Sequence, residues 1–329
     1  MKERILITGA SGFVGYHLIE AALANGLEVF AAVRKSSNVT HLQHLPIQFT
    51  YPDFSNISAL QKELEEKRYS YIIHAAGTTK AKTQEEYNEV NADNTFHLFK
   101  AAELTNGFIK KIVFLSSLAA IGPLNSINAR ITEATMPSPI TAYGRSKLLA
   151  EQKVASLNIP LIILRPTAVY GPREKDIFIF FKTLNSGFEP YIGKTPQELS
   201  FVYVKDLAQL SLNAIFAPDF IKQAYNITDG HSYSRYDLAN LSKPLLYKKT
   251  LKVHLPLGVV KIIASVLEKT YVLFNQTPAL NKEKLSELTA INWTCNIEKA
   301  QKELNFSPVY DLKKGLSETF EWYKQEKWL

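Results

Sequence analysis

The chain has 329 residues, 46% of them hydrophobic and 21% charged, the balance of a globular protein that can bury a large core. Its net charge of +7 comes from Lys and Arg that mostly alternate with Glu and Asp. This gives no argument for nucleic acid and only a mild preference for acidic or phosphorylated small molecules. A single cysteine, Cys295, excludes an intrachain disulfide and any metal site built on several thiolates, so no metal is expected.

From the start, Arg4–Thr8 reads as a short buried parallel strand, with no apolar leader before it, so a cytoplasmic protein is expected. The strand runs into Gly9-Ala10-Ser11-Gly12-Phe13-Val14-Gly15 and then a helical pattern that stops at Asn25-Gly26. Gly9 permits the tight turn, Gly12 lets main-chain amides approach a pyrophosphate, and Gly15 lets helix and strand pack closely. Ser11, Phe13 and Val14 belong to the same phosphate cradle. A strand–glycine turn–helix at this place predicts dinucleotide binding.

The next strand, Glu28 to Arg34, ends in Arg34 and Lys35 with no carboxylate. A carboxylate there would hold a ribose 2′-hydroxyl and repel a 2′-phosphate, so two cations favour NADP over NAD. Ser36, Ser37 and Asn38 are further donors, and Arg34 stacking on adenine is the other reading. A third strand over Ile47–Tyr51 leads to Asp53 and Phe54. Asp53 can accept from an adenine amino group or cap a helix. A helix is expected over Ile57–Lys67, and Tyr71–Ala75 is a strand whose His74 reads as a hydrogen-bonded structural residue. Ala75, Ala76 and Gly77 are small enough for the chain to pass close under a cofactor. One helix is expected over Glu85–Leu104, carrying Asn91, and the strand Lys111–Ser117 ends in two hydroxyls, Ser116 and Ser117. Then Tyr143 and Lys147, four apart, share one face of a helix, where a fixed cation would favour the phenolate.

These residues resemble the extended short-chain dehydrogenases/reductases, often called the NAD-dependent epimerase/dehydratase family. The resemblance rests on Thr8 to Gly15, His74 to Gly77, Asn91, Ser116-Ser117, Tyr143-x-x-x-Lys147, Arg165 to Pro172 and Phe201 to Asp206. It runs from about residue 3 to 323 and closes on Asn296 to Pro308. It implies an α/β doubly wound parallel sheet, the Rossmann fold, with a smaller mixed C-terminal substrate lobe. Tyr143 would be the general acid/base, and Lys147 would lower its pKa and bind the nicotinamide ribose. Ser117 would bond the substrate oxygen, Asn91 would support a proton-relay water, and Pro166 and Val169 would line the nicotinamide. Ser116 is also placed at the cofactor.

The departures narrow the chemistry. Leu118-Ala119 stands where the family's dehydratases carry an acidic pair, and Leu199 where its nucleotide-sugar enzymes often carry an Arg. Arg173, Arg235 or Lys194 could replace that phosphate clamp; no Arg-rich patch lies in Leu280–Ala290. The pattern is closer to the dihydroflavonol-reductase-like and 3β-hydroxysteroid-dehydrogenase-like members. The expected activity is hydride transfer between NADP(H) and a carbonyl or secondary alcohol. A nucleotide-sugar epimerase with tightly held cofactor is the alternative, and a cofactor sensor without turnover is a third reading that the intact acid/base set argues against.

Residues 1–172, with 201–230 returning, are expected to form the nucleotide domain, and 173–200 and 231–329 the lobe. Helices are expected over 176–186 and 204–216. Tyr233 to Pro278 reads as aromatic and basic with two apolar helices. Its longest apolar run, Leu255–Phe274, is broken by Lys261, Glu268 and Lys269, which suits a packed amphipathic helix better than a span, with contact at a membrane surface as the other reading. The expected partner is a small-molecule substrate, without nucleic acid or stable membrane insertion; a homodimer is left open.

Overall fold

Short aliphatic runs make good parallel strands when helices cover both faces, and the chain alternates the two elements throughout. The computed structural model describes residues 2–105, 107–218, 222–263, 265 and 282–329. The first half runs β1 (Arg4–Thr8), α1 (Phe13–Ala24), β2 (Glu28–Ala32), β3 (Gln48–Thr50), α2 (Ile57–Lys67), β4 (Tyr71–His74), α3 (Gln84–Asn88), α4 (Asn94–Glu103), β5 (Lys111–Leu115), α5 (Ala142–Val154) and β6 (Leu161–Pro166). Then follow β7 (Ala168–Tyr170), α6 (Asp176–Asn185), β8 (Phe188–Ile192), β9 (Glu198–Leu199), β10 (Phe201–Tyr203), α7 (Val204–Ile215) and β11 (Gln223–Ile227). The last part holds β12 (Tyr233–Ser234), α8 (Asp237–Leu246), β13 (Leu251–Leu255), a helical run α9 (257–263), α10 (Lys282–Thr289), α11 (Glu298–Leu304) and α12 (Leu312–Gln325).

Seven strands pair in parallel in the order β3-β2-β1-β4-β5-β6-β11. The chain winds outward from β1 to β3, then crosses back to β4, so the crevice between the carboxyl ends of β1 and β4 is the switch point where such sheets bind ligands. Two glycines close this point. A Cβ on Gly9 would lie 2.6 Å from the Ala75 carbonyl oxygen, and one on Gly15 would lie 2.2 Å from the Gly9 oxygen. Neither separation is tolerable, so the turn and the first turn of α1 can seat against the end of β4 only with glycine in both places.

The helix expected over 85–104 is interrupted. A π turn, Glu89–Asp93, separates α3 from α4 and inserts an extra residue into the helical ladder at Asn91.

The second half of the chain packs into two buried clusters. Tyr170, Phe181, Phe201, Tyr203, Leu316, Phe320 and Tyr323 share one buried cluster that joins α12 to β7 and β10. Cys295, Ile297, Ala300, Leu304 and Phe306 instead pack with Leu207 and Ile227 against the central sheet, because α11 lies along β11. Two further pairs complete the lobe, β8 with β13 and β9 with β12. The apolar run that begins at Leu255 is described only as far as residue 265, and its remainder, with the second apolar helix expected before Pro278, lies outside the described residues. Among the described residues, no helix is long and apolar enough to cross a membrane.

Candidate active site

The end of β5 and the first turn of α5 meet because Gly144 follows Tyr143. A Cβ on Gly144 would lie 2.3 Å from the Ala119 carbonyl oxygen, so any larger residue would hold α5 away from the Leu118–Ala120 turn. Thr141 caps the helix by accepting from the Gly144 amide at 3.0 Å. Ser117 caps the short turn, its Oγ accepting from the Ala119 amide at 3.1 Å, which leaves its proton to donate to the Tyr143 phenol. Burial pushes the phenol up to about 12; the Ser117 bond pulls it back, and the Glu287 charge and Tyr87 raise it. Tyr143 is therefore a proton-carrying group at neutral pH.

Lys147 is held against the end of β5. It lies 3% exposed, with Nζ donating to the Leu115 carbonyl at 2.7 Å and standing 4.3 Å from the centre of the Phe114 ring. Its cation is turned to the strand end and ring. Burial lowers the ammonium itself to about 7, opposed by the carboxylate of Glu151 one turn further along α5. The physical reason is the depth of the site: a Lys stem on this face reaches the main chain of β5 first.

The paired hydroxyls separate. Ser116 is buried and donates to Glu151 Oε1 at 2.5 Å, while Arg165 grips the same carboxylate through Nε at 3.1 and 3.2 Å and Nη2 at 2.6 Å. The Ser116 side chain thus joins a buried ion pair.

His74 completes a buried chain of hydrogen bonds. The Ala76 amide donates to Thr8 Oγ1 at 3.0 Å, Thr8 lies 2.7 Å from His74 Nδ1, Nε2 lies 2.9 Å from Thr95 Oγ1, and Thr95 donates to the Asn91 carbonyl at 2.8 Å. Thr95 spends its proton on Asn91, so Nε2–H donates to Thr95, and with the ring neutral Thr8 donates to Nδ1. Burial, with the Lys147 charge, holds His74 down at about 3. Between that value and the ordinary histidine range near ~6.5, the unfolded chain binds a proton the native chain refuses. Stability is expected to fall as pH drops through this window. Thermal unfolding followed against pH should show it, and His74→Gln should flatten the slope.

Asn91 is fully buried and fully engaged: Oδ1 accepts from the Thr78 amide at 2.7 Å, and Nδ2 donates to the Thr78 carbonyl and to Ser146 Oγ, both at 2.9 Å. Its side chain ties the loop after β4 to α5 beside Lys147. The structure brings Asn91, Ser117, Tyr143 and Lys147 into one neighbourhood, with Asn91 in a positioning place.

The cofactor candidates surround the switch point. Gly12 is the exposed N-cap residue of α1, which has no side-chain cap, so the first-turn amides around Phe13 and Val14 are open to an anion, with Ser11 beside them. Ala75, Ala76 and Gly77 follow β4 at the same edge. Arg34 and Lys35 are exposed in the turn after β2, where the Ser37 amide donates to the Arg34 carbonyl at 2.9 Å, and neither has an ion pair among the described residues. Asp53 is exposed and accepts from the Ser55 amide and hydroxyl at 3.0 and 2.6 Å; the cap of α2 is Asn56. Phe54 lies 6.4 Å from the His74 ring, Pro166 ends β6, and Val169 pairs with Val202. An uncapped helix end over a glycine turn, with unopposed cations after β2, fits a phosphorylated dinucleotide.

The substrate side contains residues that sequence reasoning missed. Glu283 on α10 accepts from the Ala142 amide on both oxygens at 2.9 Å and from Arg145 Nη2 at 2.9 Å. It thus clamps the first turn of α5, which carries Tyr143, from a point 141 positions away. Glu287, one turn further on, raises the phenol of Tyr143. Nothing in local sequence marks either residue, because their role depends on where the lobe folds back. Of the substitutes for a phosphate clamp, Arg235 spends Nη1 and Nη2 on the Thr195 and Ile192 carbonyls at 2.7 Å, and Arg173 stacks 3.9 Å over the Tyr16 ring. Lys194 is exposed.

The model of the family described as "NAD dependent epimerase/dehydratase family" matches residues 5–228. The chain is 25% identical to a UDP-glucose 4-epimerase of Vibrio cholerae over 99% of this chain and 97% of that one. It is equally, 25%, identical to a decarboxylating sterol-4-alpha-carboxylate 3-dehydrogenase of Schizosaccharomyces pombe, over 98% of each. The UDP-glucuronic acid 4-epimerase of Bacillus cereus, solved in complex with NAD, has the same fold: TM-score 0.76 at 23% identity, over 98% of this chain and 99% of that one.

Proposed function

This chain belongs to the NAD dependent epimerase/dehydratase family, a family of nicotinamide-dependent enzymes, and we propose that within it the protein is an NADP-dependent reductase of a carbonyl group on a largely apolar substrate. The observation that carries this reading is the pairing of a protonated Tyr143 phenol with the Ser117 hydroxyl at the carboxyl end of β5. Both can point a proton at one substrate oxygen. Ser117 orients and polarises the carbonyl. Tyr143 delivers its proton as negative charge builds on that oxygen, a downhill transfer because an alkoxide is a stronger base than a phenolate. Lys147 holds positive charge near the phenolate so formed. A bound reduced nicotinamide supplies the hydride. Oxidation of an alcohol runs the same steps backwards.

Two features support an uncharged substrate over a nucleotide diphosphate sugar. Arg235 and Arg173 are held by the protein itself, and two carboxylates lie close to Tyr143, Glu283 against the Ala142 amide and Glu287 near enough to raise the phenol. A diphosphate placed there would meet like charge without a bidentate partner. The epimerase reading keeps support from the Vibrio cholerae relative, since removal and return of one hydride would use the same three residues. Incubation with NADPH and a panel of ketones, sterol-like ketones and UDP-sugars separates the two. Net loss of the reduced-cofactor absorbance with a ketone is expected. Interconversion of a UDP-sugar with no net absorbance change would sink the reductase reading.

The preference for NADP rests on Arg34 and is tested apart from the substrate. Arg34→Ala should weaken NADP binding roughly tenfold or more, the worth of one charge-assisted contact, with NAD binding almost unchanged. Fluorescence titration with both cofactors measures it, and equal losses would assign Arg34 to the adenine.

A further inference from the structure

The lobe carries an exposed apolar edge that the reaction does not use. We propose that this edge, formed by β8, the α8–β13 loop, β13 and α9, docks the protein on the surface of an anionic phospholipid bilayer. Phe188 and Leu251 are register partners on adjacent strands and are 54% and 64% exposed. Leu255, at the far end of β13, is also exposed, and α9 continues the strip with Leu257, Val259, Ile262 and Ile263. Ile262 alone is 67% exposed, and Tyr247, in the loop after α8, is 88% exposed. Large aliphatic and aromatic side chains gathered on one edge, in place of single scattered ones, mark a contact surface.

Charge selects the partner. From Leu238 to Ser265 the sequence contains five lysines and no Asp or Glu. Lys243 and Lys252 turn inward to Glu189, at 3.0 and 3.6 Å, and this carboxylate is 1% exposed, so it presents no anion to the outside. Lys248, Lys249 and Lys261 are exposed, with no ion pair among the described residues. Apolar side chains flanked by unopposed lysines fit an interface with hydrocarbon behind and phosphate in front. A second copy of the chain is the poorer fit, because a two-fold contact through this edge would bring together two lysine-bearing surfaces whose Leu238–Ser265 segments contain no acidic residue to oppose the charge. Crossing is not involved; no helix among the described residues is long enough.

Sedimentation of the full chain with large unilamellar vesicles tests this without reference to its reaction. Binding is expected to vesicles of phosphatidylcholine mixed with phosphatidylglycerol, and to fall with salt and with phosphatidylcholine alone. Ile262→Glu with Ile263→Glu, and separately Lys248→Glu with Lys249→Glu, should each reduce the bound fraction roughly tenfold or more, with NADP binding and thermal midpoint unchanged. If the Ile pair fails to fold, Lys261→Glu supplies the second reading of the same face. Absence of vesicle binding, equal binding to both vesicle types, or variants that bind like the parent would overturn the proposal. So would a dimer in sedimentation velocity that Ile262→Glu with Ile263→Glu converts to monomer, which would assign the edge to a second copy.

Discussion

Tyr143→Phe is expected to lower turnover by roughly 10²- to 10⁴-fold while NADP affinity changes little. The variant removes the phenol that, hydrogen-bonded to Ser117, would deliver a proton to the substrate oxygen, and it leaves the glycine turn, α1 and Arg34 untouched. The ring itself remains, so α5 keeps its contact with the Leu118–Ala120 turn through Gly144. The loss should therefore fall on kcat, with KM and the cofactor titration close to the parent, the pattern of an interaction made in the transition state. A variant that retains turnover would take Tyr143 out of the acid's place. The parent's pH profile carries a second mark. A phenol near 12 stays protonated across the neutral range, so its own titration does not limit reduction there, whereas Lys147, lowered to about 7, loses the charge that would steady the phenolate formed by proton delivery. A decline in reduction above about pH 7 is expected to report the lysine before the tyrosine.

Glu151→Ala should be the most destabilising single change near the site, costing about 3–5 kcal/mol. It strands the Arg165 guanidinium, 9% exposed, and leaves Ser116 without its acceptor. A charge without a partner in that interior has neither water nor carboxylate to offset its desolvation. Urea unfolding should show a lower midpoint with an unchanged slope. Replacing both partners with apolar residues, Glu151→Met with Arg165→Leu, should recover most of the loss, since the cost lies in the orphaned charge. The functional trace is separate. Glu151 props up the Lys147 ammonium, so its removal should move the alkaline limb of reduction to lower pH, in the surviving folded protein. If the double replacement is as unstable as the single one, packing and not the unpaired charge sets the cost.

Much of this architecture was legible in the chain because it is local. The strand–glycine turn–helix at Arg4 to Ala24 is decided within about twenty residues: an apolar run, glycines where a Cβ would strike Gly9 or Ala75, and a helix with nothing to cap it but a ligand. Tyr143 and Lys147 share a face by helical spacing alone, and His74, an apolar-strand histidine, is the hydrogen-bonded structural residue its setting predicts. What the sequence could not decide was the partner of each side chain once several elements converge. Ser116 and Ser117 are adjacent and alike, and only the packing of α5 on β5 and β6 turns one to Arg165 and Glu151 and the other to Tyr143. The reach of Lys147 to the Leu115 carbonyl, the π turn at Asn91 and the grip of Glu283 on Ala142 have the same origin. Each is a long-range contact whose geometry depends on how the helices and the lobe settle on a finished sheet. Residue type and spacing therefore determined which residues are candidates for the proton-carrying set and its cradle, whereas the tertiary structure decided their electrostatics, because burial and neighbouring charge are properties of the packed molecule and not of any segment.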